Sequence, residues 1–534
     1  MEKAVSAKTM AAIDENSQEQ YGIPGIVLME RAGLLAWKIL REYINPDMSV
    51  VFLAGGGNNG GDALVMAREA FMEGFDKISV IACGSRISPS CATNRGIIHS
   101  LGLPFVDIGT EEPGASVEAI LREADVIVDG LSGTGLSGPL RGNAATLVSL
   151  VASVRKTSRE ILKETRNVYV CSIDVPSGVG DDVPASAPVM RADRTITMGM
   201  MKYALLLPAF REACGELSIV NPGFPPIVLD AAQDVLHVAD SEDFSLRPLD
   251  LSAYKKNRGH IAVFAGSEHY SGAAGLACMA AFHARCGLVT LYADKNVQPL
   301  IARENPSIIT RTISSGEIAS IPLEAYDAIL AGPGWGRGGD REDILAVLLD
   351  TASQLVIDAD GLHVFASLVK KDSGRAVTHC PLVLTPHPGE LKILYDALPS
   401  ELRKEDISDA SPCHYKDILT TMSSYYQAVI IAKSHVTWIA DGSRVYVVEG
   451  RDPSLGVAGS GDVLAGTCAA SMAAHATDES LAASALDAVL VHRNAGRRAR
   501  ETYGWYAAED IVTVLGNAFD ALAEARKGSR GIRR

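Results

Sequence analysis

Apolar and polar positions alternate along the chain in a pattern that is typical of α/β proteins. Short apolar, β-branched runs are separated by longer Ala- and Leu-rich segments in which apolar residues recur at helical spacing. Because helical segments separate successive strands, we predict largely parallel sheets. The strands are predicted at 49–54, 78–83, 124–129, 168–174 and 194–197 in the first half, and at 260–266, 328–331, 354–357, 382–384 and 428–432 in the second.

The alternation is interrupted between Asn221 and Leu251, where prolines and acidic residues are concentrated. A chain of 534 residues also exceeds what one ordinary hydrophobic core holds. We therefore predict one domain at residues 1–225, a connecting segment at 226–254 and a second domain at 255–534.

Composition narrows the class of protein and its partners. The chain is 47% hydrophobic and 21% charged, which is typical of a soluble globular protein. Its 64 acidic and 49 basic residues give a net charge of −15, which argues against a nucleic acid or an anionic membrane as the main partner. The nine cysteines include no C-x-x-C pair, and no apolar run has the length of a signal sequence or a membrane span. We expect a cytoplasmic homo-oligomer that acts on small molecules.

The stretch "AGGGNNGGD" (Ala54–Asp62) lies between a predicted strand and a predicted helix. Gly55, Gly57 and Gly60 fit the G-x-G-x-x-G spacing of a dinucleotide-binding loop, and a helix N-terminus favours anions. A dinucleotide-binding dehydrogenase also needs an acidic residue at the end of the next strand, where it binds the ribose. That strand ends "IACGSR", without a carboxylate, so hydride transfer at this loop is disfavoured. A tight turn without a ligand is the alternative.

Two aspartates end neighbouring predicted strands in the first half. Asp129 precedes a second Gly/Ser loop, and Asp174 lies close to Ser177 in "IDVPSG". A carboxylate at the end of a buried strand is costly unless it binds a cation, a donor or a substrate hydroxyl. This pair indicates a site, although Ser177 alone is equally well explained as a turn former.

The first half of the chain resembles the epimerases that repair hydrated nicotinamide cofactors, NAD(P)HX. The resemblance is carried by "YGIPGIVLMERAG", "NNGGD", "IVDGLSGTGLSG" and "IDVPSG". It implies a Rossmann-like three-layer α/β/α domain and a potassium ion held by Asn59, Asp129 and Ser177. Two residues depart from the family pattern, Arg31 and Ala63, where asparagine and a third glycine are usual. The substrate-binding residues implied are Asn58, Asn59, Gly60, Gly61, Asp62, Gly133, Thr134, Gly135, Leu136, Ser137, Gly138, Pro139 and Asp174.

The chemistry of epimerisation assigns a role to Asp174. Inversion at the hydrated carbon requires reversible loss of its hydroxyl group or opening of the ring. A carboxylate such as that of Asp174 can act as the acid and base in either route, while the ring nitrogen supplies electrons.

In the second half, "GVAGSGDVLAG" places Gly459, Gly461 and Asp462 at the start of an Ala-rich helix. Backbone amides there can stabilise a phosphate, and Asp462 can take a proton from a hydroxyl. The alternative is that Asp462 is simply an acid in the first turn of a helix, where the helix dipole favours negative charge. No G-x-x-x-x-G-K-[S/T] sequence occurs, which excludes a P-loop.

Other polar residues follow predicted strands of the second half. His387 lies between prolines in "LTPHPGE", and Lys433 ends a strand, where it either meets a nucleotide phosphate or is simply solvated. Asp358 and Asp360 are turn formers, supporting groups or magnesium contacts, and the sequence does not decide among these.

Together, "GSEHYSGAAG", "GPGWG", "DADGL", "LTPHPGE" and "GVAGSGDVLAGT" resemble the ADP/ATP-dependent NAD(P)HX dehydratases, which have a ribokinase-like α/β fold. One residue departs from the family pattern, since Ser434 replaces the usual glycine. The resemblance implies magnesium with ADP or ATP, ADP being expected for a fused chain. It assigns the hydrated cofactor to Ala273, Gly334, His387 and Asp462, and the adenine nucleotide to Lys433, Ser434, His435, Val436, Thr437 and Gly461.

The two resemblances together predict a bifunctional repair enzyme. The first domain would interconvert R- and S-NAD(P)HX, and the second would dehydrate the S form, releasing phosphate and, from ADP, AMP. The main alternative is a ribokinase-like kinase for a sugar or vitamin, fused to a nucleotide-binding sensor or scaffold domain.

Overall fold

A computed structural model describes residues 1–109, 113–161, 168–245, 249, 251–338, 340–372, 380–450, 452–474 and 480–532. The chain divides into two compact units. The N-terminal unit contains Lys3–Leu236 and the short segment Asp409–Tyr415, and the C-terminal unit contains most of the remainder from His237 onward. The predicted domain bounds stay predictions, and residues 246–248 and 250 of the predicted connecting segment lie outside the described residues.

The N-terminal unit is built from strands that alternate with helices. Its strands are β1 (Glu2–Val5), β2 (Val50–Ala54), β3 (Ile78–Cys83), β4 (Phe105–Gly109), β5 (Val126–Gly130), β6 (Tyr169–Ile173), β7 (Arg194–Met198), β8 (Met201–Lys202), β9 (Glu216–Val220) and β10 (Val235–Ala239), whose last residues belong to the other unit. Its helices are α1 (Ala7–Glu19), α2 (Gly25–Leu40), α3 (Asn58–Met72), α4 (Pro89–Ser100), α5 (Ala115–Glu123), α6 (Gly142–Ile161), α7 (Pro208–Arg211) and α8 (Pro226–Asp230).

The main sheet of this unit is parallel, with strand order β4-β3-β2-β5-β6-β7-β9. After β2 the chain adds β3 and β4 on one side of that strand. It then crosses over and adds β5 and the later strands on the other side. The loops after β2 and β5 therefore leave the sheet in opposite directions and open a crevice at its carboxyl edge, where α/β proteins bind ligands. The core strands are apolar on both faces because helices cover both.

The C-terminal unit repeats this alternation and adds antiparallel strands at one side. Its strands are β11 (His260–Phe264), β12 (Leu288–Ala293), β13 (Ile309–Thr312), β14 (Ala328–Ala331), β15 (Leu355–Ile357), β16 (Leu382–Leu384), β17 (Ala428–Ala432), β18 (Val436–Asp441) and β19 (Arg444–Glu449). Its helices are α9 (Ser271–His283), α10 (Gln298–Glu304), α11 (Asp340–Thr351), α12 (Asp360–Lys371), α13 (Pro388–Tyr395), α14 (Pro412–Tyr426), α15 (Ser460–Ala474), α16 (Leu481–Tyr503) and α17 (Ala508–Ile532).

Its strand order is β13-β12-β11-β14-β15-β16-β17-β18-β19, parallel from β13 to β17 and antiparallel from β17 to β19. The chain adds β12 and β13 on one side of β11, and then adds β14 and the later strands on the other side. The loops after β11 and β14 therefore diverge at the carboxyl edge of the sheet. Helix α15 is buried on nearly all sides and packs closely against α9. A Cβ on Gly466 would lie 2.1 Å from the carbonyl oxygen of Ala277, so only glycine allows this approach.

The predicted α/β class is confirmed for both units, and each of the predicted strands matches an observed one to within about two residues. The sequence analysis did not predict nine of the described strands: β1, β4, β8, β9, β10, β12, β13, β18 and β19. Of these, β18 and β19 follow β17 as a hairpin with no helix between them, so the alternation of strand and helix does not indicate them. Among the described residues, no helix combines the length and the apolar composition needed to cross a membrane.

Candidate active sites

A cavity of about 1170 Å³ lies at the carboxyl edge of the sheet in the N-terminal unit. Of the residues that the sequence assigned to this site, Gly60, Gly61, Gly138 and Pro139 are outside the described lining. The structure brings the other nine assigned substrate-binding residues together in it: Asn58, Asn59, Asp62, Gly133, Thr134, Gly135, Leu136, Ser137 and Asp174. The assigned roles of these residues in binding stay predictions.

The glycines of "AGGGNNGGD" allow segments of backbone to pack closely. A Cβ on Gly60 would lie 1.9 Å from the carbonyl oxygen of Gly55, and one on Gly55 would lie 2.0 Å from that of Leu131. Neither glycine has a positive φ, so close approach and not backbone freedom requires them. Ala63, where the family usually has a glycine, also avoids a positive φ, and its methyl group packs against Gly130.

Asp174 follows β6 with a φ of 64°, a left-handed conformation that few side chains other than glycine adopt. Its Oδ1 accepts hydrogen bonds from the ammonium of Lys202 at 2.5 Å, the backbone N–H of Met198 at 3.2 Å and the hydroxyl of Thr197 at 3.4 Å. Lys202 is completely buried, and burial lowers its pKa, although the charge of Asp174 opposes the shift. A buried cation thus holds the predicted acid–base residue.

Further carboxylates lie near this ion pair. Burial, followed by the charges of Asp174 and Asp14, raises the pKa of Asp62 well above its usual range. Burial also raises the pKa of Asp14, which accepts a hydrogen bond from Gln18 at 3.0 Å. Burial, more than the neighbouring charges, therefore favours the protonated forms of Asp62 and Asp14, both of which line the cavity.

Asp129 is fully buried and accepts hydrogen bonds on both carboxylate oxygens. Ser172 donates to Oδ2 at 2.7 Å, and Ser177 donates its N–H to Oδ2 at 2.8 Å and its hydroxyl to Oδ1 at 2.5 Å. Burial raises the pKa of Asp129, and the hydrogen bonds from Ser177 oppose the shift. Asp129 therefore links the loops after β5 and β6.

Asn59 lies beside this network. Its Nδ2 donates to the carbonyl oxygen of Ser132 at 2.9 Å, and Ser132 accepts a hydrogen bond from Ser177 in turn at 3.4 Å. Within the described part of the chain, the buried Oδ1 of Asn59 has no hydrogen-bond partner. Such an oxygen is costly to bury unless a cation or a ligand meets it, so the predicted potassium ligands fit a cation here.

In the C-terminal unit, Asp462 lies in the first turn of α15 near a buried ion pair. Lys433 donates to Oδ1 of Asp358 at 2.6 Å, and this oxygen also accepts from Thr385 at 2.7 Å. Burial and the charge of Asp358 raise the pKa of Asp462 to about 7, although Lys433 opposes the shift. An acid that titrates near neutral pH is suited to accept a proton during catalysis.

Three carboxylates act on the single ammonium group of Lys433. Burial lowers the pKa of this ammonium, but the carboxylates of Asp358, Glu390 and Asp462 outweigh burial, so the net shift is upward. Burial also raises the pKa of Glu390. Among the described residues, no three histidine, cysteine or acidic side chains are close enough to hold a metal ion by themselves.

The other predicted residues of this unit lie around the same edge. A Cβ on Gly461 would lie 3.4 Å from Nζ of Lys433, so this ammonium faces the start of α15. Gly334, with a φ of 55°, packs against Ala273 at the change of direction between β14 and β11. The largely exposed His387 caps the N-terminus of α13, where its ring accepts a hydrogen bond from the N–H of Gly389 at 3.0 Å.

The predicted nucleotide-binding turn is held by Arg493 of α16. Its Nη2 donates to the carbonyl oxygen of Ser434 at 2.6 Å and to Oγ1 of Thr437 at 2.9 Å. His435 accepts the backbone N–H of Gly450 at 2.9 Å, and Val436 begins β18. Ser434 has no positive φ, so the departure from glycine introduces no backbone strain.

Sequence reasoning missed three charged residues at these sites: Lys202, Glu390 and Arg493. Lys202 is a lone charge within the apolar run "MGMMKYALLLP", and that pattern is a signal for a buried, paired lysine. In the sequence, Glu390 has only the pattern of an acid in the first turn of a helix. In the structure its side chain accepts a hydrogen bond from the N–H of His387 at 2.9 Å. Nothing in the sequence near Arg493 indicates its contact with the turn.

Each unit thus presents buried acids at the carboxyl edge of a parallel sheet, beside a helix N-terminus. This arrangement is typical of a class of enzymes with two α/β units, each of which binds a small molecule at the carboxyl edge of its sheet. Residues 25–204 match the family model described as YjeF-related protein N-terminus, and residues 261–516 match that of NAD(P)H-hydrate dehydratase.

Similar proteins extend along nearly the whole chain. Proteins named bifunctional NAD(P)H-hydrate repair enzyme are 31% identical over 531 residues in Gloeobacter violaceus and 30% identical over 533 residues in Salinibacter ruber. Both alignments cover 94% of this chain, and they cover 93% and 92% of the relatives. A solved ADP/ATP-dependent NAD(P)H-hydrate dehydratase from Bacillus subtilis, co-crystallised with ATP/Mg2+, is 22% identical with a TM-score of 0.45, covering 53% of this chain and 96% of its own.

The chain belongs to the family of bifunctional NAD(P)H-hydrate repair enzymes. The prediction of an enzyme that joins an epimerase and a dehydratase is thereby confirmed.

Proposed function

We propose that the N-terminal unit interconverts R- and S-NAD(P)HX at Asp174, and that the C-terminal unit uses Asp462 and an adenine nucleotide to dehydrate the S form. The observation that carries the dehydratase assignment is the pKa of Asp462, raised to about 7 at the start of α15. Family membership supports the pairing of the two reactions, because the first makes the substrate of the second.

For epimerisation, the hydroxyl of the hydrated carbon leaves and returns on either face, or the ring opens and closes. Asp174 lines the cavity and carries the carboxylate that gives and takes the proton. Gly57, Asn58 and Asn59, at the start of α3, line the same cavity, and in this proposal their N–H groups bind the phosphates of the cofactor.

For dehydration, Asp462 accepts the proton of the ring hydroxyl as that oxygen attacks the terminal phosphoryl group of the nucleotide. The backbone amides at Gly459–Gly461 stabilise the charge of the transferring group. The electron pair of the ring nitrogen then expels phosphate, and loss of a proton from the adjacent carbon restores the double bond. With ADP as donor, the products are NAD(P)H, phosphate and AMP.

The nucleotide is bound by Lys433–Thr437 and Gly461. The ammonium of Lys433 exchanges part of its contact with Asp358 for a phosphate, and Arg493 keeps the turn in place. Magnesium bound to the nucleotide would neutralise phosphate charge in this acidic site. Ala273, Gly334 and His387 hold the hydrated cofactor together with Asp462 in this proposal.

The cation of the N-terminal unit is potassium in this proposal, held by Asn59, Asp129 and Ser177. The unpartnered Oδ1 of Asn59 and the carboxylate of Asp129 are the hard oxygen ligands that such an ion prefers. Potassium would supply positive charge beside the substrate phosphates. The cytoplasmic location and the homo-oligomer rest on the sequence alone and stay predictions.

A single incubation tests both activities. Mixed R- and S-NADHX is supplied with ADP or ATP, and recovery of NADH is followed by absorbance. Full conversion with release of orthophosphate is expected, whereas a stop at the initial S fraction would contradict the epimerase assignment. A stable phosphorylated product would indicate the kinase alternative. Repeating the reaction with sodium replacing potassium is expected to slow conversion of the R form only.

A further inference from the structure

The buried Lys202 contacts Asp174, the proposed acid and base of epimerisation, without itself taking part in the proposed proton transfer. Its ammonium donates to Oδ1 of Asp174 at 2.5 Å, to Oγ1 of Thr197 at 2.8 Å and to the carbonyl oxygen of Met198 at 2.5 Å. An ammonium has three protons to donate, so these three acceptors use all of them. Lys202 therefore has no proton left for a ligand in the cavity and acts through its neighbours.

The backbone of Lys202 is fixed as firmly as its side chain. The residue lies in β8, which pairs in parallel with β1 so that Val5 is opposite Lys202. Thr197 and Met198, which accept from its ammonium, end β7 in the main sheet. The side chain thus bridges two strands that the fold holds rigidly.

The two oxygens of Asp174 have different surroundings. Oδ1 accepts from Lys202, Met198 and Thr197. Oδ2 accepts no hydrogen bond within the part of the chain that the structure describes, and lies 3.6 Å from the position of a Cβ on Gly133 in the loop that lines the cavity. One oxygen is anchored, and the other is left for a ligand.

We propose that Lys202 is a positioning residue for epimerisation, which anchors Oδ1 of Asp174 so that Oδ2 meets the hydrated nicotinamide ring. This inference rests on the proposed function of the N-terminal unit. It predicts that loss of Lys202 impairs turnover more than substrate binding, because the carboxylate remains but is no longer held at the reacting carbon.

The test compares Lys202→Met, Asp174→Asn and the double variant in the full chain. Interconversion of purified R- and S-NADHX is measured without nucleotide by chromatography. For Lys202→Met we expect kcat to fall about 100-fold with little change in KM. Because Lys202 acts through Asp174, the double variant is expected to match Asp174→Asn within about twofold. Lys38→Met, on the exposed face of α2, is the matched control and is expected to keep wild-type rates.

A second variant keeps the test informative if Lys202→Met does not fold. Thr197→Val removes one acceptor of the ammonium and the 3.4 Å hydrogen bond from Thr197 to Oδ1 of Asp174, while Lys202 and Asp174 stay paired. A fall in kcat of about threefold or more is expected, and it should be absent in the Asp174→Asn background. Multiplying effects in either double variant, or unchanged kcat in both single variants, would overturn the inference alone. A wild-type enzyme that dehydrates S-NADHX but does not interconvert the two forms would overturn the epimerase function, and this inference with it.

Discussion

Each proposed catalytic acid lies near a lysine that comes from elsewhere in the sequence. Asp174 adopts a positive φ, a conformation that costs about 1 kcal/mol or more for a side chain other than glycine. Lys202 and the N–H of Met198 fix its carboxylate in that position. Asp462, in contrast, has no hydrogen bond to Lys433 and is tuned by burial and charge. Hydrogen bonds therefore set the orientation of Asp174, whereas burial and nearby charges set the pKa of Asp462.

The raised pKa of Asp462 predicts the pH dependence of dehydration. A base must be ionised to accept a proton, so kcat/KM with S-NADHX is expected to fall as pH decreases through about 7. At pH 5 it should be about 100-fold below its plateau value. Asp462→Asn is expected to lower the rate by about 10²- to 10⁴-fold and to remove this limb.

Initial rates at low substrate concentration between pH 5 and 9 provide the measurement. Glu324→Gln, an exposed residue of the same unit, is the control and should keep the wild-type profile. A plateau that extends unchanged to pH 5 would show that Asp462 is not the proton acceptor.

At the scale of the element, the start of α3 shows why glycine is needed in the loop. Gly57 and Gly60 belong to the same turn, but the space around them differs. A Cβ on Gly60 would overlap the backbone of Gly55, whereas a Cβ on Gly57 has no atom within 4 Å. The Gly60 contact joins the first turn of the helix to the strand end before it.

Gly60→Ala is therefore expected to destabilise the N-terminal unit by about 1–3 kcal/mol, because backbone has to shift. The matched variant Gly57→Ala should change stability by less than about 0.5 kcal/mol. Thermal unfolding of both variants and of the wild type, followed by circular dichroism, measures the difference. Equal stability of the two variants would mean that the close packing of this turn is not required.

At the scale of the whole molecule, the two reactions lie in separate compact units of one chain. Each unit has its own core and its own carboxyl-edge site. A substitution that inactivates one site should therefore leave the reaction at the other site intact, as long as the first site releases the S form into solution.

Complementation between variants tests this independence. Asp174→Asn should convert only the S fraction of a mixture, and Asp462→Asn should interconvert the forms without producing NADH. Mixing the two variants is expected to restore full conversion, because the S form made by one enzyme diffuses to the other. Failure of the mixture, with each variant keeping its remaining activity, would contradict release of the intermediate. NADH absorbance records the result.

The sequence alone determined the α/β class, the main parallel strands and the loops that carry the candidate residues. These features are local: apolar runs set strands, and glycines and acids at strand ends mark ligand loops. "NNGGD", "IDVPSG" and "GSGD" were found for that reason, and all three lie within the residues that the family models match.

The tertiary structure decided which charges meet. Lys202 lies 28 residues from Asp174, and Lys433 lies 75 residues from Asp358, and neither spacing has a periodicity that predicts contact. Packing of the strands places these pairs in low-dielectric surroundings, where burial and charge fix the anchored oxygen of Asp174 and the pKa of Asp462. Pattern in the chain locates the acids, but only the folded core determines how Asp174 is held and at which pH Asp462 is ionised.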